Sequence, residues 1–176
     1  MQSGPLVTLR AFERQDAETY RGWINDPEVA ALVDRAGPVT AEEHARWYEA
    51  LVGAPDHHVF AVEETDGRAF IGLVWLYGVH ARHRRAEVRI VIGERRAWGK
   101  GRGTDALRAL ADVAFDTLGL EKLWADVLAT NPRAVSAFER AGFTREGLLR
   151  GDRVVSGARV DVVRLGRLRD DPAPRR

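Results

Sequence analysis

Arg96-Ala97-Trp98-Gly99-Lys100-Gly101-Arg102-Gly103-Thr104 joins a strongly apolar strand pattern, Ala86 to Ile92, to the longest helical pattern in the chain. Glycines at alternate positions let the backbone turn tightly and approach a ligand without Cβ obstruction. The N–H groups at the coming helix start point outward toward an anion. The loop reads as a pyrophosphate cradle, to which Arg96, Lys100 and Arg102 add cationic side chains suited to phosphate oxygens. Trp98, inside the loop, is expected to be partly exposed. A Walker A loop needs four residues between its first glycine and its Gly-Lys-Ser/Thr end, which this stretch lacks. The dinucleotide pattern G-x-G-x-x-G fits at Gly99 and Gly101 but meets Thr104 at its third glycine, with an acid about twenty residues on at Glu121. A dinucleotide-binding oxidoreductase therefore stands as the alternative. Against it, that fingerprint follows the opening strand of a parallel sheet, whereas hairpin-like strands come first here.

Working toward the amino terminus, Ala86 to Ile92, Ala69 to Tyr77 and His58 to Glu64 read as strands of an antiparallel meander. The last two are joined by hairpin chemistry at Thr65-Asp66-Gly67-Arg68. Before them, Thr40-Ala41-Glu42-Glu43 is a capping box opening a helix with His44, Trp47, Tyr48 and Leu51 inward. Asp16 to Ile24 is helical until Asn25-Asp26-Pro27 stops it, and Leu6 to Ala11 is a strand. Toward the carboxyl terminus, Leu107, Leu110, Ala111, Ala114, Phe115 and Leu118 form the stripe of a helix lying on a sheet, ended by Gly119. Leu123 to Leu128 follows as a strand, and Asn131 caps a short helix from Pro132 to Ala141. Two last strands lie near Phe143 to Glu146 and Val160 to Leu165, separated by Gly147, Gly151 and Gly157. We expect a single domain over residues 1–168 and a disordered tail over 169–176.

The composition, 45% hydrophobic and 30% charged in 176 residues, is that of a globular domain, with no apolar run long enough to span a membrane and no secretory leader. A cytoplasmic location is expected. Absence of cysteine excludes disulfides, thiolate metal sites and a cysteine nucleophile. His57 and His58 lack spaced partners, so no metal is assigned. The net charge of +1 argues against a globally basic nucleic-acid binder, but charge is uneven. Phe12 to Ala50 holds nine acidic and four basic residues; Arg82 to Gly103 holds eight basic and two acidic.

Arg96-x-x-Gly99-x-Gly101 after a β-strand resembles the R/Q-x-x-G-x-G/A motif of the GNAT acetyltransferase superfamily. Asn131 with Ala141-Gly142-Phe143 is similar to that superfamily's downstream asparagine and "lGF" end. Trp23-x-Asn25-Asp26-Pro27-Glu28-Val29, and Glu146-Gly147 followed by Asp161, resemble the branch of ribosomal-protein N-terminal, spermidine and nucleotide-sugar amine acetyltransferases. The resemblance implies an α/β (α+β) three-layer fold: a mixed, mostly antiparallel sheet of about six to seven strands flanked by about four helices. It implies acetyl-CoA as co-substrate and direct attack by a primary amine. The backbone of Arg89, Ile90 and Val91 would pair with the pantetheine arm, and the loop Arg96, Trp98, Gly99, Lys100, Gly101, Arg102, Gly103 with Thr104 would hold the pyrophosphate. Asn131 and Phe138 would meet the coenzyme near its thioester. The strands ending near Val91 and beginning near Leu123 would splay, with a backbone N–H near Val91 as the oxyanion donor.

The tyrosine that many relatives carry five residues before the phenylalanine of "lGF" is replaced here by Phe138. A coenzyme A thiolate, with a thiol reference of about 8.5, leaves tolerably unaided, and general acid catalysis is worth about 10²–10⁴-fold. Water or Ser136 is the expected substitute. Glu87, on the same strand face as Arg89 and Val91, is the expected base, with an ion pair to Arg85 or Arg89 as its structural alternative. The His80 to Arg85 loop and the first two helices are expected to border the acceptor, and the acidic excess from Phe12 to Ala50 favours a cationic amine: a protein N-terminus, a polyamine or an amino sugar. Phe138 also leaves open a catalytically silent coenzyme A-binding module. The assembly is expected to be a monomer or homodimer.

Overall fold

Strand-forming runs broken by glycine turns assemble, in the computed structural model, into one eight-stranded sheet ordered β1-β2-β3-β4-β5-β6-β8-β7. The structure describes residues 2–33 and 37–172. The strands are β1 (Gln2–Ser3), β2 (Val7–Ala11), β3 (His58–Glu64), β4 (Phe70–His80), β5 (Arg85–Ile92), β6 (Lys122–Leu128), β7 (Thr144–Val155) and β8 (Ala158–Leu168). The helices are α1 (Arg14–Asn25), α2 (Pro27–Ala30), α3 (Ala41–Gly53), α4 (Arg102–Asp112) and α5 (Pro132–Arg140). Among the described residues every strand pairing is antiparallel except β5–β6. The expected mixed, mostly antiparallel architecture is the observed one, extended by the two-residue β1 and the one-turn α2.

Local chemistry accounts for the ends of the elements. Thr40 Oγ1 accepts from Glu43 N (3.2 Å) while the Glu43 carboxylate accepts from Thr40 N (2.9 Å), the expected capping box of α3. Asn131 Oδ1 accepts from Ala134 N (3.0 Å) at the start of α5. The Asn25-Asp26-Pro27 stop is also a start: Asp26 caps α2 with Pro27 in its first turn, which the sequence reading missed. Asn25 holds Val39 by both backbone groups, and Arg95 grips Asp26 and Glu28, tying this corner to the loop after β5. The long helical stripe ends α4 at Asp112 and continues as one π-helical turn, Val113–Thr117, before Gly119 at φ 65°.

The two last strands are longer than expected. Gly147 and Gly151 do not separate them; both lie inside β7, where the register shifts, and Gly151 is clasped by Asp161 and Arg159. Ser156 (φ 50°) and Gly157 (φ 81°) make the turn between them. Part of the expected tail is tied down as well, since Arg169 N donates to Glu121 O and its guanidinium to Phe115 O. Residues 173–176 lie outside the described residues.

Alternation along the strands divides the interior in two. Val74, Leu76, Ala86, Val88, Leu123, Ala125 and Val127 pack with α4 and α5 on one face. Ala61, Leu73, Trp75 and Val91 pack with α1, α2 and α3 on the other. Among the described residues no helix is long and apolar enough to cross a membrane.

Candidate active site

Where the sheet turns parallel it also comes apart. β5 and β6 pair only at Arg85↔Lys122, Ala86↔Leu123 and Glu87↔Trp124, although β5 runs on to Ile92 and β6 to Leu128. Beyond Glu87 the two strands follow different neighbours, β4 and β8. Their facing edges line a cavity of about 500 Å³ that reaches both faces of the sheet. On one side stand the loop from Ala97 to Thr104 and the α5 residues Ala134, Ala137 and Phe138; on the other, Tyr20 and Ile24 of α1 and Trp47 of α3.

Backbone direction on the open edge follows from alternation. Gly93 N donates to Ile71 O across the β4 side (3.0 Å), and Ile92 O turns the other way to accept Trp98 Nε1–H (2.5 Å). In an antiparallel pair both groups of a residue face the same neighbour and successive residues alternate. Val91 and Arg89 therefore direct their N–H and C=O toward Leu73 and Trp75 of β4, while Ile90 and Ile92 face the gap. Of Arg89, Ile90 and Val91, expected to offer backbone to a pantetheine arm, only Ile90 has its N–H and C=O on the open edge. The N–H of Val91, the expected oxyanion donor, is turned toward β4 by the same register, and the N–H groups on the open edge are those of Ile90 and Ile92.

The glycine loop has the expected shape. Gly99 (φ 72°) and Gly101 (φ 79°) occupy the left-handed region, and Gly101 precedes α4 without any side chain capping the helix. Arg102, Gly103 and Thr104 then open α4 with their N–H groups turned to the cavity end of the helix. A Cβ on Gly103 would come no nearer than 3.6 Å to Ile92, so crowding is not what requires this glycine. Trp98 is half-buried, as expected, under the Arg133 guanidinium at 4.0 Å.

The loop's cations are arranged differently from expectation. Glu64, at the end of β3 and 94% buried, receives Arg96 Nη1 on Oε2 (2.7 Å) and contacts Arg102 Nε with Oε1 (2.5 Å). Arg96 foremost holds the Glu64 carboxyl below the usual carboxylate range, and Glu64 raises Arg96 in turn. Of Arg96, Lys100 and Arg102 only Arg102 lines the cavity; Lys100 is exposed. Arg133 and Arg140 of α5 supply cationic lining that no loop reading could reveal.

On the α1–α3 side the floor carries two two-point ion pairs. Arg89 Nε and Nη2 donate to Glu87 at 2.7 and 3.1 Å, with the guanidinium 3.8 Å over the Tyr77 ring. Arg164 Nε and Nη2 donate to Asp126 at 2.8 and 2.6 Å, with the guanidinium 4.5 Å over Trp124. Glu87, Arg89 and Asp126 line the cavity. Asp126, foremost, raises Arg164, with a contribution from Glu87 across the strands. The structural alternative for Glu87 is thus present, with Arg89 and not Arg85 as partner. Asp126 and Glu64 were missed; for Asp126 an acid between the apolar Ala125 and Val127 was the available signal, whereas Glu64, between Glu63 and Thr65, carried none.

Three expectations are corrected here. Ser136 does not line the cavity: it lies round α5 from Ala134, Ala137 and Phe138, and its Oγ accepts from Arg140 (2.6 Å). The His80 to Arg85 loop is exposed and away from the cavity, at the far tip of the β4–β5 hairpin. None of the described acids between Phe12 and Ala50 lines the cavity; Asp16 binds Arg10, Glu18 binds Arg21, Glu49 binds Arg14, and Asp26 and Glu28 bind Arg95. Asp34 lies outside the described residues. The charge argument for a cationic acceptor therefore falls. Phe138, 2% exposed, packs edge-on to Phe143 at 5.0 Å, and Asn131 is held as the α5 cap.

The acetyltransferase (GNAT) domain model matches residues 7–144. A Vibrio cholerae spermidine N(1)-acetyltransferase is 30% identical over 90% of this chain and 91% of its own. A Bacillus subtilis protein with a provisional phosphinothricin acetyltransferase name is 31% identical over 92% and 98%. The crystal structure of spermidine N-acetyltransferase from Vibrio cholerae in complex with CoA and spermine superposes with a TM-score of 0.86 at 29% identity, covering 94% of this chain and 96% of that one. The oxidoreductase alternative is set aside, since the glycine loop follows the fifth strand of a mostly antiparallel sheet. The chain belongs to the GNAT acetyltransferase family and is an acetyl-CoA-dependent N-acetyltransferase.

Proposed function

We propose that this enzyme acetylates the primary amine of a small molecule that enters from the α1–α3 side and meets acetyl-CoA in the gap between β5 and β6. The gap itself carries the reading: a sheet opened at one parallel pair, with a glycine cradle and bare helix start at one end and an aromatic, ion-paired chamber at the other. Arg102, Gly103 and Thr104 N–H groups, with Arg102, Arg133 and Arg140 side chains, suit the pyrophosphate. Ile90 and Ile92 offer the open strand edge to the pantetheine arm, and the Ile90 N–H is the donor for charge developing on the thioester oxygen. Phe138 and Asn131 shape the wall beside the thioester.

Acetyl-CoA supplies an acyl group on a thiol leaving group with a reference pKa of about 8.5, which needs little acid assistance. The chain's own task is therefore to position a neutral amine. An alkylammonium with a reference near 10.4 has to lose a proton, and Glu87, a carboxylate lining the cavity on the acceptor side, is the base. Polyamines are the first acceptor class to assay, because the Vibrio cholerae relative is named for spermidine and its complex holds spermine.

Titration of acetyl-CoA, CoA and NADPH into wild type and an Arg96→Ala/Gly101→Val variant, followed by thiol release over a panel of amines, tests the assignment. Tight binding of the first two, weakened at least about tenfold in the variant, is expected. Binding of acetyl-CoA without thiol release on any amine would overturn it.

A further inference from the structure

On the footing that acetyl transfer occurs in this chamber, we propose that the acceptor is an aminocarboxylate with an apolar side chain, whose own carboxylate displaces Glu87 from Arg89 and so frees Glu87 for the substrate ammonium. Among the described residues two carboxylates line the acceptor chamber, Glu87 and Asp126; each is held by a two-point arginine pair, and the described acids of α1 to α3 stay outside it. Among the described residues, a polyamine entering here meets no carboxylate without an arginine. To bind one it has to break a pair and rest its ammonium against the released guanidinium, leaving a charge uncompensated. An aminocarboxylate exchanges partners instead: its carboxylate takes the Arg89 fork, its ammonium takes Glu87, and the number of ion pairs is conserved.

Two further features suit Arg89 to this exchange. Its guanidinium lies over Tyr77 at 3.8 Å, a contact that persists when Glu87 lets go, and its side chain is 41% exposed, within reach of an incoming anion. Trp75 stands opposite Arg89 in the β4–β5 register, lines the cavity and is 7% exposed, yet its Nε1–H has no hydrogen-bond partner among the described residues. Such a buried donor calls for an acceptor oxygen, which the substrate carboxylate provides. Tyr20, Ile24, Val29 and Trp47 complete an apolar wall for the rest of the molecule.

The proton account closes. Glu87 takes one proton from the ammonium and passes it to solvent. The neutral nitrogen bonds to the thioester carbon and the C–S bond breaks. The nitrogen's second proton is lost as the amide forms, and the departing thiolate takes one from water. An amine without a carboxylate leaves Glu87 on Arg89 and forgoes this route.

Matched acceptors differing by the carboxylate decide the matter: leucine against isoamylamine and phenylalanine against phenethylamine, with spermidine alongside. The wild type is expected to favour each aminocarboxylate over its twin by about 10- to 100-fold in kcat/KM. Arg89→Gln should bring that ratio to within about twofold by raising the aminocarboxylate KM, while Glu87→Gln should lower kcat at least about tenfold. Arg89→Lys, which keeps charge but not the fork, should retain part of the preference and stands in if the glutamine variant fails to bind acetyl-CoA. Spermidine or the plain amines matching the aminocarboxylates in the wild type would overturn the proposal, as would a ratio untouched by loss of Arg89. Absence of thiol release with every amine is a different result, and it removes the acetyl-transfer reading together with this one.

Discussion

Glu64 illustrates how one side chain sets the state of a whole loop. Its buried carboxylate gathers Arg96 and Arg102, so two of the glycine loop's guanidinium groups are fixed by the protein itself. Replacing Glu64 with glutamine removes the anion shared by two guanidinium groups that solvent still reaches, and Glu64→Gln should lower unfolding stability by about 1–2 kcal/mol in denaturant titration and raise KM for acetyl-CoA. The pH dependence follows from the sign of the shift. Arg96 chiefly holds the carboxyl below its ordinary value in the fold, while the unfolded chain takes a proton near about pH 4.3. The ion pairs therefore contribute fully above that unfolded value and are lost as pH falls through the folded one. Between about pH 5 and 3 the wild type should lose stability more steeply than Glu64→Gln; equal slopes would mean that the carboxylate is not held by its arginines.

At the scale of elements, the β5 edge is the feature that chemistry depends on. Val91 and Gly93 donate to β4, whereas Ile90 and Ile92 face the gap without a strand partner. Hydrogen exchange should find the Ile90 and Ile92 amides fast in the free protein and markedly slowed by acetyl-CoA, with Val91 and Gly93 slow in both states. The packing of α1 against the same strand is equally specific. A Cβ on Gly93 would fall 2.1 Å from the Trp23 ring, so Gly93→Ala has to push α1 off the sheet and should destabilise by about 2–3 kcal/mol while weakening acceptor turnover. By contrast, Thr40→Ala removes only the α3 cap. It should cost about 1 kcal/mol in thermal unfolding and leave acetyl-CoA affinity unchanged.

For the molecule as a whole, a ligand lying in the gap bridges two halves of a sheet whose strands β5 and β6 are in register over three residue pairs. Acetyl-CoA at a hundredfold excess over its Kd should stabilise the fold by about 2.7 kcal/mol, readable as a rise in Tm, and Gly101→Val should abolish the rise. The sequence by itself determined most of the succession of elements, the α3 capping box, the glycine loop and the family, because each is written in residues within a few positions of one another. Turn chemistry, helix caps and strand alternation are local forces, and they survived assembly almost unchanged. Only the tertiary structure decided how the charges pair. Glu64 reaches arginines more than thirty residues away, Asp126 meets Arg164 across β6 and β8, and Asp16, Glu18, Glu28 and Glu49 stand outside the cavity, each on an arginine of its own. Counting charge along the chain could not foresee this, since a carboxylate's role depends on which guanidinium the fold brings within about 3 Å of it, and that is fixed by strand register and the packing of distant segments.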